Sequence, residues 1–300
     1  MDLPFRLPPP PTEESEPVWM GSGFRLGSRM ARIVDYGENL AGWSDDLTDL
    51  HERAAGATHP IDVASRRDAV RQLRSRLIAP RPTILEIGCS SGHLLHDMAT
   101  AFPDAVIIGA DVVRGPLERL AARLPGVPLL RFDIQECPLP PGAVDAVVML
   151  NVLEHVEDDG AALRQVHRIL KPGGIVVIEV PAGAHLFDDY DRALKHFRRY
   201  RVSDLARTLE QSGFRVLRRS HLGFLLYPAF ALAKRRNQGT RLAPADLRRH
   251  VEQQVTSTAS SGAMRAALIV EAVLGRWVRY PIGIRCLVLG QRVWSQGEHS

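Results

Sequence analysis

An α/β fold on a doubly wound, mainly parallel sheet is predicted by three observations. Between residues 83 and 221 short apolar runs alternate with helix-patterned segments. The runs are continuous in Val, Ile and Leu, as in strands covered by helices on both faces. The connections between them are short. Seven strands, a set of N-terminal helices and a helical insertion before the last strand complete the expected architecture.

The first five strands are read at TILEIG (83–88), AVIIGAD (105–111), VPLLRFD (127–133), AVDAVVML (143–150) and GIVVIEV (174–180). After Gly92, the residues Leu94, Leu95, Met98, Ala99 and Phe102 fall at helical spacing, as do Leu163, Val166, Ile169 and Leu170 further on. Lys171, Pro172, Gly173 and Gly174 stop that second helix and turn the chain into the fifth strand. GFRVLRRSHL (213–222) and GIRCLVLG (283–290) supply the remaining strands. Residues 1–17, rich in proline and acids, read as a disordered tail, and 18–80 as a helical cap with a break near Thr58–Pro60. The sheet domain then spans 81–221 and 282–293. Residues 222–281 form the insertion, with apolar helical stretches LGFLLYPAFALA and AMRAALIVEAVLGRW serving as a lid or a dimer contact.

The 300 residues carry a net charge of +4 that comes almost wholly from arginine, since lysine occurs only at Lys171, Lys195 and Lys234. An arginine bias of this kind is compositional, so no nucleic-acid partner is implied. Cys89, Cys137 and Cys286 are odd in number and lack a C-x-x-C pair, which argues against a disulfide framework and a structural zinc site. No metal is expected, and a reducing cytoplasm fits. No run approaches the ~20 apolar residues of a membrane span, and the N-terminus lacks the pattern of a signal peptide.

In a doubly wound sheet ligands bind beyond the carboxyl ends of the strands, where strand order reverses. Three acids converge there, Glu86 near the end of the first strand, Asp111 at the end of the second and Asp133 at the end of the third. Three neighbouring carboxylates need a ligand rich in donors. A dinucleotide is disfavoured because the G-x-G-x-x-G pattern that admits a pyrophosphate meets Ser90 and His93 where it requires glycine. S-adenosylmethionine, a cationic amino acid joined to adenosine without phosphates, satisfies the same acids.

E-x-G-C-x-x-G at Glu86–Gly92, GAD ending in Asp111, FD at Phe132 and Asp133, LNVLEHV at 150–156 and LKPGG at 170–174 together resemble the class I S-adenosylmethionine-dependent methyltransferases. The resemblance covers residues 80–221 and resumes in the last strand. It implies a Rossmann-like fold in which Gly88, Cys89 and Gly92 pack against the methionine part and Glu86 organises its amine. Asp111 would accept the ribose hydroxyls with Val112 against the adenine. Asp133 would take the adenine amine, Ile134 the ring, and Asn151 would face the methionine end.

Methyl transfer from a sulfonium is an in-line displacement, so positioning matters most, and a phenol or ammonium acceptor needs a proton acceptor besides. His155, His185 and His196 follow the fourth and fifth strand ends and are the candidates. PAGAHLFDDYDRALKHFRRY (181–200) resembles a D-x-x-x-x-H-[FY]-R-R-Y stretch found in one group of small-molecule methyltransferases, matched by Asp191, His196, Arg198, Arg199 and Tyr200. Arg198 and Arg199 would hold a substrate carboxylate or phosphate, or pair with Asp188 or Asp189 to fix the loop. Tyr36, Trp43, Tyr190 and Tyr200 are the aromatic candidates of the acceptor pocket.

The sequence therefore reads as a cytoplasmic methyltransferase of a small molecule of specialised, natural-product metabolism, with oxygen favoured over nitrogen and carbon as acceptor. Membrane contact is not favoured and a homodimer is allowed. Two alternatives stand beside this: a lipid or isoprenoid-linked substrate at a membrane surface, and a cofactor-binding scaffold without transferase activity.

Overall fold

The computed structural model describes residues 2–37, 58–237 and 261–293. Glycines at 21, 23 and 27 break any helical pattern near the N-terminus, and the chain there folds into strands instead. Gly21 and Gly27 take positive φ angles of 84° and 56°, turning β1 (Val18–Trp19), β2 (Phe24–Leu26) and β3 (Arg29–Ala31) into a small antiparallel sheet. Phe24 and Leu26 point inward while Arg25 points out, the period of two expected of a half-buried strand. β4 (Ile33–Asp35) then joins the central sheet beside the third of the read strands. Among the described residues the helical cap expected over 18–80 is thus corrected to strands over 18–35 and the helix α1 (Pro60–Arg76). Nor is the proline-rich start disordered. Leu7 is fully buried in the main core with Trp19 and Phe24, and the Tyr36 hydroxyl donates to the Pro8 carbonyl at 2.8 Å.

The remaining elements follow the sequence pattern closely. They are β5 (Thr83–Ile87), α2 (His93–Ala101), β6 (Val106–Asp111), α3 (Arg114–Arg123), β7 (Leu129–Arg131), β8 (Val144–Leu150), α4 (Asp159–Ile169), β9 (Leu170–Pro181), α5 (Asp189–Ala193), α6 (Val202–Gln211), β10 (Phe214–Leu222), α7 (Tyr227–Asn237), α8 (Gly262–Leu274) and β11 (Arg285–Arg292). The central sheet has eight strands in the order β10-β11-β9-β8-β5-β6-β7-β4, one more than expected because β4 extends its edge. Every pairing is parallel except those of β11, which lies antiparallel between β9 and β10.

Apolar cores form on both faces of the sheet. Ala69 and Leu73 of α1, Leu94, Leu95 and Met98 of α2, and Leu117 and Leu120 of α3 pack over Ile84, Val148 and Val177. On the opposite face Leu163, Val166 and Ile169 of α4 and Leu205 and Leu209 of α6 pack over Leu85, Val147 and Ile178. Strand order reverses at β5, which pairs with β8 on one side and β6 on the other. A crevice beyond the carboxyl ends of these strands follows from that topology.

Residues 222–281 include two helices among the described residues, α7 and α8. Leu268 of α8 packs with Leu222 and Leu287 over Ile61 and Ala64 of α1. Most of the arginine-rich segment joining the two helices lies outside the described residues. No helix among the described residues is long and apolar enough to cross a membrane.

Candidate active site

The glycine turn after β5 is shaped by crowding. The amides of Gly88 and Cys89 donate to the Ala110 carbonyl at 2.8 and 3.0 Å, and the Gly92 amide to the Cys89 carbonyl at 2.7 Å. Gly88 and Gly92 have φ of 76° and 72°, where side chains are strained, and a Cβ on them would lie 2.6 Å from Val152 and 2.4 Å from Leu120. Gly92 is therefore needed for packing against α3. Cys89 is buried, with its thiol raised well above the usual range by burial and by the charges of Asp111 and Glu86, so it acts as a small apolar residue.

Two of the three acids stand together. Asp111 accepts from the Ser90 amide at 2.8 Å and the Val113 amide at 2.9 Å, tying the tip of β6 to the turn. Glu86 is buried, and its Oε2 has no hydrogen-bond partner among the described residues. Burial, followed by the neighbouring Asp111 charge, raises the Glu86 carboxyl well above its ordinary value. Asp133 lies two residues beyond β7 and caps a 3-10 turn by accepting from the Gln135 amide at 2.8 Å, with Ile134 buried behind it. Val112 is half-buried and its carbonyl accepts from Arg131. Asn151 holds a left-handed φ of 54° just past β8, its amide on the Glu179 carbonyl at 2.8 Å. An orphaned buried carboxylate oxygen beside a turn that lacks the glycines of a diphosphate loop suits an ammonium-bearing nucleoside. Glu86, Asp111 and Asn151 could hold such a ligand.

A second cluster lies just beyond Asn151. Glu154 and His155 sit on a 3-10 turn (Leu153–His155), and the Phe197 amide donates to the Glu154 carbonyl at 2.8 Å, drawing the 181–200 segment against it. The rings of His155 and His196 meet edge to face at 4.6 Å. His196 Nδ1 is 3.0 Å from Asp191, which is fully buried and also binds Arg199 at 2.7 Å and Lys234 at 3.1 Å. Burial alone would raise the Asp191 carboxyl, but the His196 hydrogen bond and the Arg199 and Lys234 charges overcome it and hold it far below the usual range. Burial lowers the His196 imidazole despite Asp191 beside it, so the ring is neutral at pH 7 with Nε2 able to accept a proton. Burial pushes Glu154 up to about 8.

Other candidates are committed elsewhere. Arg199 is buried against Asp191 and the Ala182 carbonyl, and Arg198 pairs with Asp159 at 3.0 Å; the loop-fixing reading describes both, with these acids in place of Asp188 or Asp189. Asp188 instead caps α5 and binds Lys234 at 2.6 Å. The Tyr200 hydroxyl donates within the chain to Leu153 and Asp159, and Tyr36 to Pro8. Tyr190 is under the Lys234 ammonium, 4.8 Å from its ring centre, with its phenol pushed up to about 12 chiefly by burial. His185 is exposed on its own 3-10 turn, 3.5 Å from the Tyr227 hydroxyl. Trp43 lies outside the described residues.

Sequence reasoning passed over Glu154, although a carboxylate between Leu153 and Val156 in an otherwise apolar stretch was the available signal. It also missed Glu179 and Arg285. Glu179 Oε1 accepts from Ser65 at 2.6 Å and Arg285 at 2.7 Å, and Arg285 reaches Asp62 at 2.8 Å, clamping α1 to β9 and β11. No local pattern announces partners 106 residues apart.

With the crevice, the turn and the acids in place, the comparisons converge. Residues 63–219 match the family model described as a methyltransferase domain, and the chain belongs to the class I S-adenosylmethionine-dependent methyltransferases. A probable S-adenosylmethionine-dependent methyltransferase of Mycolicibacterium smegmatis is 31% identical over 138 residues, 44% of this chain and 52% of that protein. A trans-aconitate 2-methyltransferase of Acidovorax sp. is 30% identical over 111 residues, 37% and 43% of the two chains. The chain thus spans about half the length of the curated relatives it matches. The fold is shared with an S-adenosylmethionine-dependent methyltransferase from Mesorhizobium loti, at a TM-score of 0.50 and 20% identity, covering 77% of this chain and all of that one. It is also shared with the phosphoethanolamine N-methyltransferase 2 of Haemonchus contortus, at a TM-score of 0.50 and 14% identity, covering 83% and 60%. S-adenosylmethionine is the cofactor of the family.

Proposed function

We propose that the protein transfers a methyl group to an oxygen of a small-molecule acceptor, a specialised metabolite bound between the glycine turn and the 181–200 segment. The observation that carries this reading is the His155–His196 pair, whose first member lies four residues past Asn151 at the end of β8, with His196 Nε2 left as a proton acceptor by the Asp191 bond. S-adenosylmethionine, when bound, supplies an electrophilic methyl on a cationic sulfur. Glu86 meets its amine, Asp111 its ribose, Asp133 and Ile134 the adenine with Val112, and Asn151 the methionine end. The histidine pair takes the acceptor's proton, and the closed 181–200 segment keeps water out. Asp191, Arg199 and Lys234 act by holding His196 in place. The three cysteines are free and buried, which supports a reducing, cytoplasmic setting.

Calorimetry with S-adenosylhomocysteine and product release with phenol and carboxylic acid acceptors test this reading. Asp111→Ala should weaken cofactor binding at least tenfold, and His196→Ala should lower turnover far more than cofactor affinity. Full affinity in the first variant would remove the cofactor assignment, while cofactor binding without transfer to any acceptor would favour a scaffold.

A second reading, an acceptor carried on a lipid, is supported by the outer face of α8. Ile269, Val270, Val273 and Leu274 are exposed, followed by Trp277 at 76% exposure, with Arg265, Arg276 and Arg279 also exposed around them. Apolar side chains with tryptophan and a basic rim suit an anionic bilayer surface. Flotation with anionic vesicles separates the two readings: protein that stays at the bottom excludes the lipid version.

A further inference from the structure

The Glu154–His155–His196 cluster holds more than a base requires. One donor atom from each residue lies within 4.8 Å of the other two. Glu154 is fully buried, and neither of its carboxylate oxygens has a hydrogen-bond partner among the described residues. A carboxyl withdrawn from water and given no donors stays neutral unless a cation is brought against it, so the pair of free oxygens is a place an ion could occupy. His196 is set up as a ligand: its Nδ1 faces Asp191 at 3.0 Å, which fixes the tautomer and leaves the Nε2 lone pair. This is the carboxylate–histidine arrangement that orients metal-binding imidazoles. Asp191 is in turn held by Arg199 and Lys234, so the imidazole cannot swing freely. The Phe197 amide to Glu154 carbonyl bond fixes the two segments that bring the ligands together.

We propose that Glu154, His155 and His196 bind a divalent first-row transition ion such as Zn²⁺ or Mn²⁺, contrary to the sequence expectation of no metal. Two imidazoles and one carboxylate are a donor set of borderline softness, which suits these ions better than Mg²⁺ or Ca²⁺. Donors at ~2.1 Å from one ion stand ~3.4 Å apart in tetrahedral geometry, so the cluster closes on an ion with side-chain adjustments of about an ångström. Three protein ligands leave at least one open position, the pattern of catalytic sites as opposed to structural ones.

The consequence for chemistry rests on the O-methylation reading above. With His155 and His196 given to the ion, they no longer take the acceptor's proton; a hydroxyl in the open position would lose it to solvent instead, because the cation stabilises the electron pair left on oxygen. That oxygen then attacks the methyl carbon as the carbon–sulfur bond breaks, its electron pair going to sulfur. A chelating acceptor, a vicinal diol, catechol or hydroxy acid, would be preferred, since its second oxygen also reaches the ion.

The test uses the full chain, stripped with EDTA and dialysed, then titrated with Zn²⁺ or Mn²⁺ alone by calorimetry, with bound ion counted by elemental analysis and Mn²⁺ followed by electron paramagnetic resonance. One ion per chain is expected. Glu154→Gln and His155→Ala should each weaken it ~10–100-fold or more, while S-adenosylhomocysteine affinity, which reports folding, changes less than twofold. His96→Ala, at an exposed histidine outside the cluster, should leave ion binding unchanged. A wild-type chain that takes up no ion, or variants that keep wild-type ion affinity, overturns the site. Ion binding without transfer to any hydroxyl acceptor overturns the O-methylation reading and leaves the metal site standing; transfer by ion-free protein at full rate leaves the O-methylation reading standing and overturns the ion's part in the chemistry.

Discussion

Replacing Gly92 by alanine tests how the cofactor turn is built. Two separate penalties are expected from the structure. Gly92 has φ of 72°, a left-handed conformation that costs an alanine about 1–2 kcal/mol. The new Cβ would also lie 2.4 Å from Leu120 Cδ1 and 3.1 Å from Cδ2, and Leu120 is 1% exposed inside the α2–α3 core, so it cannot swing out to solvent. Overpacking of this kind adds about 1–3 kcal/mol. The total loss in ligand-free protein is then about 2–5 kcal/mol, read from urea unfolding midpoints at constant m-value. Leu120→Val removes both δ carbons for about 1 kcal/mol of lost burial. In that background Gly92→Ala should cost only the conformational part, about 1–2 kcal/mol. A cost below about 1 kcal/mol in the wild-type background, or an equal cost in both backgrounds, would refute the argument that packing against α3 demands this glycine.

Glu86 gives cofactor binding a pH dependence. Its carboxyl is raised in the free protein by burial and by Asp111, and a cationic amine favours the ionised form, so binding must expel a proton below the raised value. Affinity for S-adenosylhomocysteine should therefore rise with pH from the ordinary carboxylate range up to that value, with proton release seen as a buffer-dependent calorimetric heat; a slope that persists in Glu86→Gln would exclude this residue as its source. Asp191→Asn should destabilise the fold by about 3–5 kcal/mol by leaving buried Arg199 and Lys234 short of a carboxylate. Because the Asp191 carboxyl is held far below its ordinary value of 3.8, its contribution is complete above that pH and is lost only in stronger acid. The difference between the two proteins should accordingly stay flat from pH 5 to pH 8 in chemical unfolding, and a difference that shrinks over that range would point to another group.

The central strands were legible because continuous apolar runs have one stable place, between two helical layers. The placement of Glu86, Asp111 and Asn151 at or just past strand ends was legible from the same pattern. The N-terminal region departs from its helical pattern for a local reason: Gly21, Gly23 and Gly27 impose tight turns that interrupt it. Leu7 and Pro8 looked like part of a solvated tail because their partners, Trp19, Phe24 and Tyr36, are recruited by a strand that the reading did not contain. At the acceptor side, residue types were recognised but not their company. Arg198, Arg199 and Tyr200 resembled ligand contacts, and each is satisfied by this chain's own acids or carbonyls. Whether an arginine meets a substrate or an aspartate depends on distances between segments, which spacing along the chain does not encode.

The placement of β11 has a bearing on how the molecule assembles. This strand is synthesised after β10 and more than 60 residues of intervening chain, yet among the described residues it is the sheet neighbour of β10 and the partner that completes β9. Until it arrives, β9 presents an unpaired apolar edge and Glu179 lacks the guanidinium of Arg285. Closing the sheet therefore depends on pairing segments far apart in sequence, the kind of contact that topology makes slow to form.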